Sequence, residues 1–282
     1  MPTQTNVEPM AVSLDSDVLF QYPQFSLYNS PYVAHDDGCA IDLYPDTELA
    51  PSPVAGEVRE TRTVTAPSKP YSPPHDHLIL VDTGEYVARL LHVDPAVESG
   101  DTLEVGEPLG TLVRAGFFAP WVSNHVHLEF RPPERNPYRA SGSVPIDLGV
   151  AVQPLSWDGT GTVREAGETW ATLDTPSHPA PGETFVGLAS DGGVLDGGFP
   201  HYDNGGVLGP GQRAIVAGAC VGTVSADTAS SRTVSWRDCT VRANGERVTG
   251  IALFCARDSF GIKLVGEEIS LAVGTEVTVT VR

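Results

Sequence analysis

Two histidines one residue apart, His125 and His127, lie in "NHVHLEFRP" among valine, leucine and phenylalanine. Strand side chains alternate between faces. Val126, Leu128 and Phe130 would therefore share one face, and His125, His127 and Glu129 the other. Upstream, in "YVAHDDGCAIDLYP", His35 and Asp42 stand seven residues apart around a glycine-containing turn. A strand, a bend and a second strand would bring them to one point. A neutral imidazole and a carboxylate both suit Zn²⁺, and His127 would complete a three-ligand site with one position open for water. Cys39, in the same turn, is a rival ligand.

A metal-bound imidazole needs a partner on its second ring nitrogen. Glu129 is a candidate for that role, as are Asp36 and Asp37. Other histidines have plainer readings. His75 and His77, in "PPHDHLIL", follow two prolines and suit a loop or groove wall. His178 reads as loop. His201 and Asp203, with Asp191 and Asp196, form a possible calcium set, although Gly-Asp runs are usually turns. Trp121 suits either a groove wall or core packing.

Short strands are needed to position these groups. The chain has 282 residues, of which 29 are glycine and 24 proline, and that density of breakers disfavours long helices. "GEVRETRTV", "HLILVDT", "YVARLLHV", "TLEVGEPLGTLVRAG" and "HVHLEFR" are rich in β-formers and bounded by turn residues. The expected class is all-β. Residues 1–30 read as a lead-in with an edge strand, 31–135 as one β domain, 136–145 as a proline-rich linker and 146–282 as a second β-rich domain, a sandwich or barrel. The stretch 191–211, "DGGVLDGGFPHYDNGGVLGPG", is glycine-rich enough to read as loop and tight turns. The chain closes on an alternating strand, "TEVTVTVR".

Net charge is −19, with 36 acidic against 17 basic residues, and only Lys69 and Lys263 are lysines. That surface repels nucleic acid and anionic membranes. It suits a salt-rich, halophilic interior, where ions screen the self-repulsion. The N-terminus lacks a basic start and apolar run, and no stretch of ~20 apolar residues occurs. A cytoplasmic location and reduced cysteines are the expectation, with a Cys220–Cys239 bridge left open.

Taken together, "HDDGCAIDLYPDTELAPSPVAGEV", "GEYVARLLHVDPAVESGDTLEVGEPLGTL" and "NHVHLEFR" resemble, in order, three motifs of the lysostaphin/LytM-type zinc endopeptidases. The resemblance covers about 100 residues. It implies a LytM-like antiparallel β-sheet groove, zinc held by His35, Asp42 and His127, and catalytic roles for His125 and His92. It also implies a peptide substrate, cut by a zinc-activated water with one imidazole as base and another steadying the tetrahedral intermediate. In the commonest form of the first motif the aspartate follows the histidine by four residues. Here Cys39 holds that position, and Asp42 matches through a short insertion. Two other classes compete. A non-catalytic peptide- or ligand-binding module would use the same fold without turnover. A phosphocarrier would use His92 and His125 as its histidine pair but would leave His35 and Asp42 without a task.

Overall fold

The computed structural model describes residues 11–114, 119–225 and 231–282. The chain is all-β, with mostly antiparallel strands in two domains. No helix among the described residues is long and apolar enough to cross a membrane.

The sheet beneath the histidines runs, strand by strand, Gln24–Ser26, Ala40–Tyr44, Val126–Arg131, Val87–Leu91, His75–Asp82, Gly56–Thr65 and Thr102–Leu103, each pair antiparallel. Period-two alternation explains its two faces. Ile41, Leu43, Ile79, Val81, Ala88, Leu90, Val126, Leu128 and Phe130 all belong to one hydrophobic cluster. Burying each larger aliphatic or aromatic side chain contributes about 1.5–3 kcal/mol. The other face holds Asp42, Arg89, His127, Glu129 and Arg131. It is buried as well, because loops cover it. Register places Asp42 directly opposite His127, and Arg89 opposite Glu129.

Residues 11–30 are not a peripheral lead-in. Val12–Leu14 pairs in parallel with Ile146–Leu148. Gln24–Ser26 is no edge: it pairs on one side with Ala40–Tyr44 and on the other with Cys255–Ala256. Phe25 packs edge-on against Phe185, ring centroids 4.9 Å apart, and both lie in the cluster under the histidine sheet, so that core draws on both halves of the chain. The proline-rich stretch 136–145 likewise leads into Ile146–Leu148, the strand that pairs with Val12–Leu14.

The glycine-rich stretch also departs from expectation. Gly193–Phe199 is a fully buried strand, and Asn204–Leu208 pairs with it as a hairpin. The glycines are there for close approach. A Cβ on Gly206 would lie 2.1 Å from the Tyr28 ring, and one on Gly205 2.1 Å from the Trp236 ring. The missing side chains are filled by aromatic rings from other strands, a packing reason that composition alone conceals. Gly205→Ala and Gly206→Ala should each lower stability by about 1–3 kcal/mol, the usual cost of overpacking, read as a fall in the thermal midpoint. Unchanged midpoints would show that the rings yield freely.

Candidate metal centre

His35 is carried by a 3-10 turn, Val33–Gly38, rather than by a strand. Asp37 and Gly38 both take left-handed backbone, φ 56° and 68°, and reverse the chain into Ala40–Tyr44. This double bend accommodates the seven-residue spacing between His35 and Asp42. A side chain at Gly38 would lie 3.0 Å from Tyr28 Oη and Ser231 Oγ, so the turn is closely packed.

His35 Nε2, Asp42 Oδ1 and His127 Nδ1 converge. The separations are 3.4 Å from His35 to Asp42, 2.9 Å from His127 to Asp42 and 3.2 Å between the two imidazoles. They are the one group with metal-ligating geometry among the described residues. Each of the two imidazole ligand atoms is presented by a contact at the far side of its ring. His35 Nδ1 lies 2.7 Å from the Leu27 carbonyl, which can only accept, so Nδ1 carries the proton and Nε2 faces the group. His127 Nε2 lies 3.1 Å from Glu129 Oε1, which turns Nδ1 inward. Glu129 is thus the orienting carboxylate expected of it. Asp37 instead accepts from Thr233 Oγ1, and the Asp36 carbonyl accepts from the Cys39 amide. Cys39 lies outside the converging group, and burial pushes its thiol up to about 11. Those two facts weaken it as a rival ligand.

His125 and His92 flank the three. His125 Nδ1 is 2.8 Å from the Ser123 carbonyl, leaving Nε2 unprotonated and 3.4 Å from Asp42 Oδ1. Burial lowers His125 to about 4 despite the nearby Asp42 charge, so its imidazole is neutral at pH 7. The His92 ring centroid is 5.0 Å from that of His125. Asp76 grips His92 twice, accepting from its backbone amide at 3.1 Å and meeting Nδ1 at 2.7 Å. His92 has φ 69°, a left-handed conformation that costs a non-glycine residue free energy and recurs at functional sites. Asp76 was not foreseen. The useful signal in "HDH" was the residue between the histidines: His75 is exposed, and His77 pairs loosely with Asp94 at 3.6 Å.

The electrostatics are those of a buried acidic centre short of positive charge. Burial alone would raise Asp42, but the imidazoles of His125, His35 and His127 outweigh it and hold the carboxyl well below the usual range. Burial alone would lower His127, but hydrogen bonds to Asp42 and Glu129 outweigh it and push the imidazole up to about 9. Burial likewise opposes ionisation of Glu129, but His127, Arg89 and Ser143 outweigh it and hold the carboxyl at about 2.

Two contacts from the second domain hold the backbone segments that orient the histidines. Asp196, fully buried, accepts from Ser26 Oγ at 2.5 Å, Leu27 N at 2.6 Å and Tyr28 N at 3.2 Å. It fixes the segment whose Leu27 carbonyl orients His35. Lys263 Nζ donates to the Trp121 carbonyl at 2.9 Å and Ser123 Oγ at 3.3 Å, fixing the loop that orients His125. The calcium set does not assemble. Asp196 serves the first domain, Asp191 pairs with Arg213, and the His201 ring packs edge-on against Trp121. His178 bonds within its own loop. All four cysteines are free thiols.

Two family models match the chain, both described as a domain of unknown function (DUF8155): its N-terminal domain over residues 13–148 and its C-terminal domain over residues 153–282. No curated protein and no solved structure matches.

Two outcomes follow from the geometry. The folded value of Glu129 lies below its ordinary 4.5, so its contribution is present above that pH and is lost as pH falls toward 2. Glu129→Gln should therefore flatten the acid limb of a stability-versus-pH curve between those values; an unchanged limb would remove Glu129 from the charge balance. If the centre takes a divalent ion, Asp196→Asn should weaken that affinity about 10–100-fold in chelator competition, although Asp196 touches none of the three converging groups. Wild-type affinity in a folded variant would break the proposed link to His35.

Proposed function

We propose that this chain, which belongs to the DUF8155 family, is a zinc-dependent hydrolase of peptide amide bonds similar to the lysostaphin/LytM-type endopeptidases. The observation that supports this reading best is the convergence of His35 Nε2, Asp42 Oδ1 and His127 Nδ1, with His125 and His92 beside them. Two imidazoles, each oriented from behind, and one carboxylate make a donor set suited to Zn²⁺ with a coordination position left over. An ion held there supplies Lewis acidity toward an amide carbonyl and acidifies water.

The chain's own groups would then divide the proton work. His125 is neutral at pH 7, with Nε2 turned toward the ligand carboxylate, and so can take a proton at that atom. The Ser123 carbonyl holds its tautomer. His92, anchored by Asp76, would hydrogen-bond the oxygen on which negative charge develops, and Asp76 would stabilise the ring as it gains positive character. The buried setting strengthens each interaction by excluding solvent.

Purified protein should hold about one zinc per chain, and chelator should abolish hydrolysis of a glycine-rich peptide library until zinc is restored. His127→Ala should lose stable metal binding. His125→Ala and His92→Ala should keep the metal and lose about 10²–10⁴-fold in turnover. Full zinc occupancy in His127→Ala would refute the ligand assignment. Bound zinc with no zinc-dependent cleavage would leave a non-catalytic binding module. Phosphohistidine formed from phosphoenolpyruvate and its general transfer proteins would favour the phosphocarrier.

A further inference from the structure

The cavity over the converging ligands, about 290 Å³, has a cation in its wall, Arg89, whose ion pair with Glu129 uses only part of its guanidinium. Arg89 is 5% exposed and lines that cavity together with His35, Asp42, His92, His125 and His127. Among the described residues its guanidinium makes one hydrogen bond, from Nη1 to Glu129, and Nε is buried without a partner. An unpaired buried donor costs about 1–3 kcal/mol, and such groups in native proteins call for an explanation.

Arg89 shares Glu129 with a second cation. Arg131 Nη2 lies 3.3 Å from Glu129 Oε2, and Ser143 Oγ and His127 Nε2 donate to the same carboxylate. Arg131 has further acceptors in Ser143 Oγ, the Asn136 carbonyl and the Arg139 carbonyl. Two guanidiniums therefore meet one carboxylate, and of the two it is Arg89 that lines the cavity. With a divalent ion bound and the imidazoles neutral, Asp42, Asp76 and Glu129 face that ion and two guanidiniums, leaving one positive charge in excess.

We propose that Arg89 makes this cavity a carboxylate-recognising subsite, so that the ligand bears a carboxylate within about one residue of the amide presented to the metal centre. The planar guanidinium matches a carboxylate with paired donors and gives strong, charge-assisted hydrogen bonds. Beside the carboxylates Asp76 and Glu129, which are paired with His92 and with the two guanidiniums, the rest of the wall is Ser30 and the mostly apolar Tyr32, Ala34, Pro67, Leu91 and Ala140. They leave a volume at the low end of ligand pockets, suited to a small terminal residue more than to a long chain passing through. The carboxylate could be the C-terminal one or an acidic side chain. The idea rests on the proposed function only for the word amide; recognition by Arg89 is tested separately.

Calorimetry on the zinc-loaded full chain would compare N-acetylglycylglycine, its C-terminal amide, and N-acetyl-aspartyl-glycinamide. The expected result is about 10²-fold tighter binding of a carboxylate probe than of the amide. The free C-terminal and side-chain arms identify the source. Arg89→Gln should erase the preference in the zinc-loaded fraction, with zinc content read in parallel, and Arg89→Lys should restore part of it. If Arg89→Gln loses zinc or fails to fold, Arg89→Lys decides, with an expected drop of about tenfold in the preference. Equal binding of acid and amide by the wild type, or an undiminished preference in a zinc-loaded Arg89 variant, overturns the proposal. Equal zinc-dependent cleavage of uncharged capped peptides would also overturn it while sparing the hydrolytic reading. Carboxylate-selective binding with no turnover would sustain it and remove that reading.

Discussion

A carboxylate placed at the centre of a sheet demands positive charge from its surroundings, and Asp42 imposes that demand on everything near it. Taking an ionised group out of water costs several kcal/mol unless opposite charge and donors replace the solvent. Three imidazoles crowd one of its oxygens, and one of them, His127, keeps a proton to neutral pH and beyond because of it. A layer of carboxylates and donors behind the imidazoles then fixes their tautomers: Glu129 for His127, the Leu27 carbonyl for His35, the Ser123 carbonyl for His125 and Asp76 for His92. The charged face is affordable only because the opposite face of the same strands is a continuous apolar core.

The division of labour between the domains follows from those outer contacts. Asp196 and Lys263 belong to the second domain, yet each holds a backbone segment that aims a histidine of the first. Burial pushes Asp196 up to about 6 despite its three donors, so at neutral pH it remains charged and binds the Leu27–Tyr28 amides as an anion. The Gln24–Ser26 strand, paired on both sides, makes the link mechanical as well as electrostatic. The second domain is therefore part of the frame of the centre.

How much of this was legible in the sequence depended on the distance over which the cause acts. Alternation in "HVHLEFR" is local, and it separated the histidine face from the apolar face correctly. The same parity, carried two residues further, would have added Arg131. The short strands from Gly56 to Arg131 were also local signals. Asp42 was reachable because its partner, His35, is nearby in sequence. Residues 24–28 were misread because their partners, Asp196 and Cys255–Ala256, lie about 170 to 230 positions away. The hairpin of Gly193–Phe199 and Asn204–Leu208 was misread because the rings that fill its glycine positions come from Tyr28 and Trp236. Arg89 passed as an ordinary strand residue because only register sets it opposite Glu129.

The long-range grip of Asp196 has a temporal side. During synthesis, residues 35 and 42 emerge well before residues 196 and 263. Until those later positions are in place, the backbone that aims the first imidazole lacks its carboxylate anchor, and the loop before the paired imidazoles lacks its ammonium clasp. The donor atoms thus gain their final alignment only after both halves of the chain have been made.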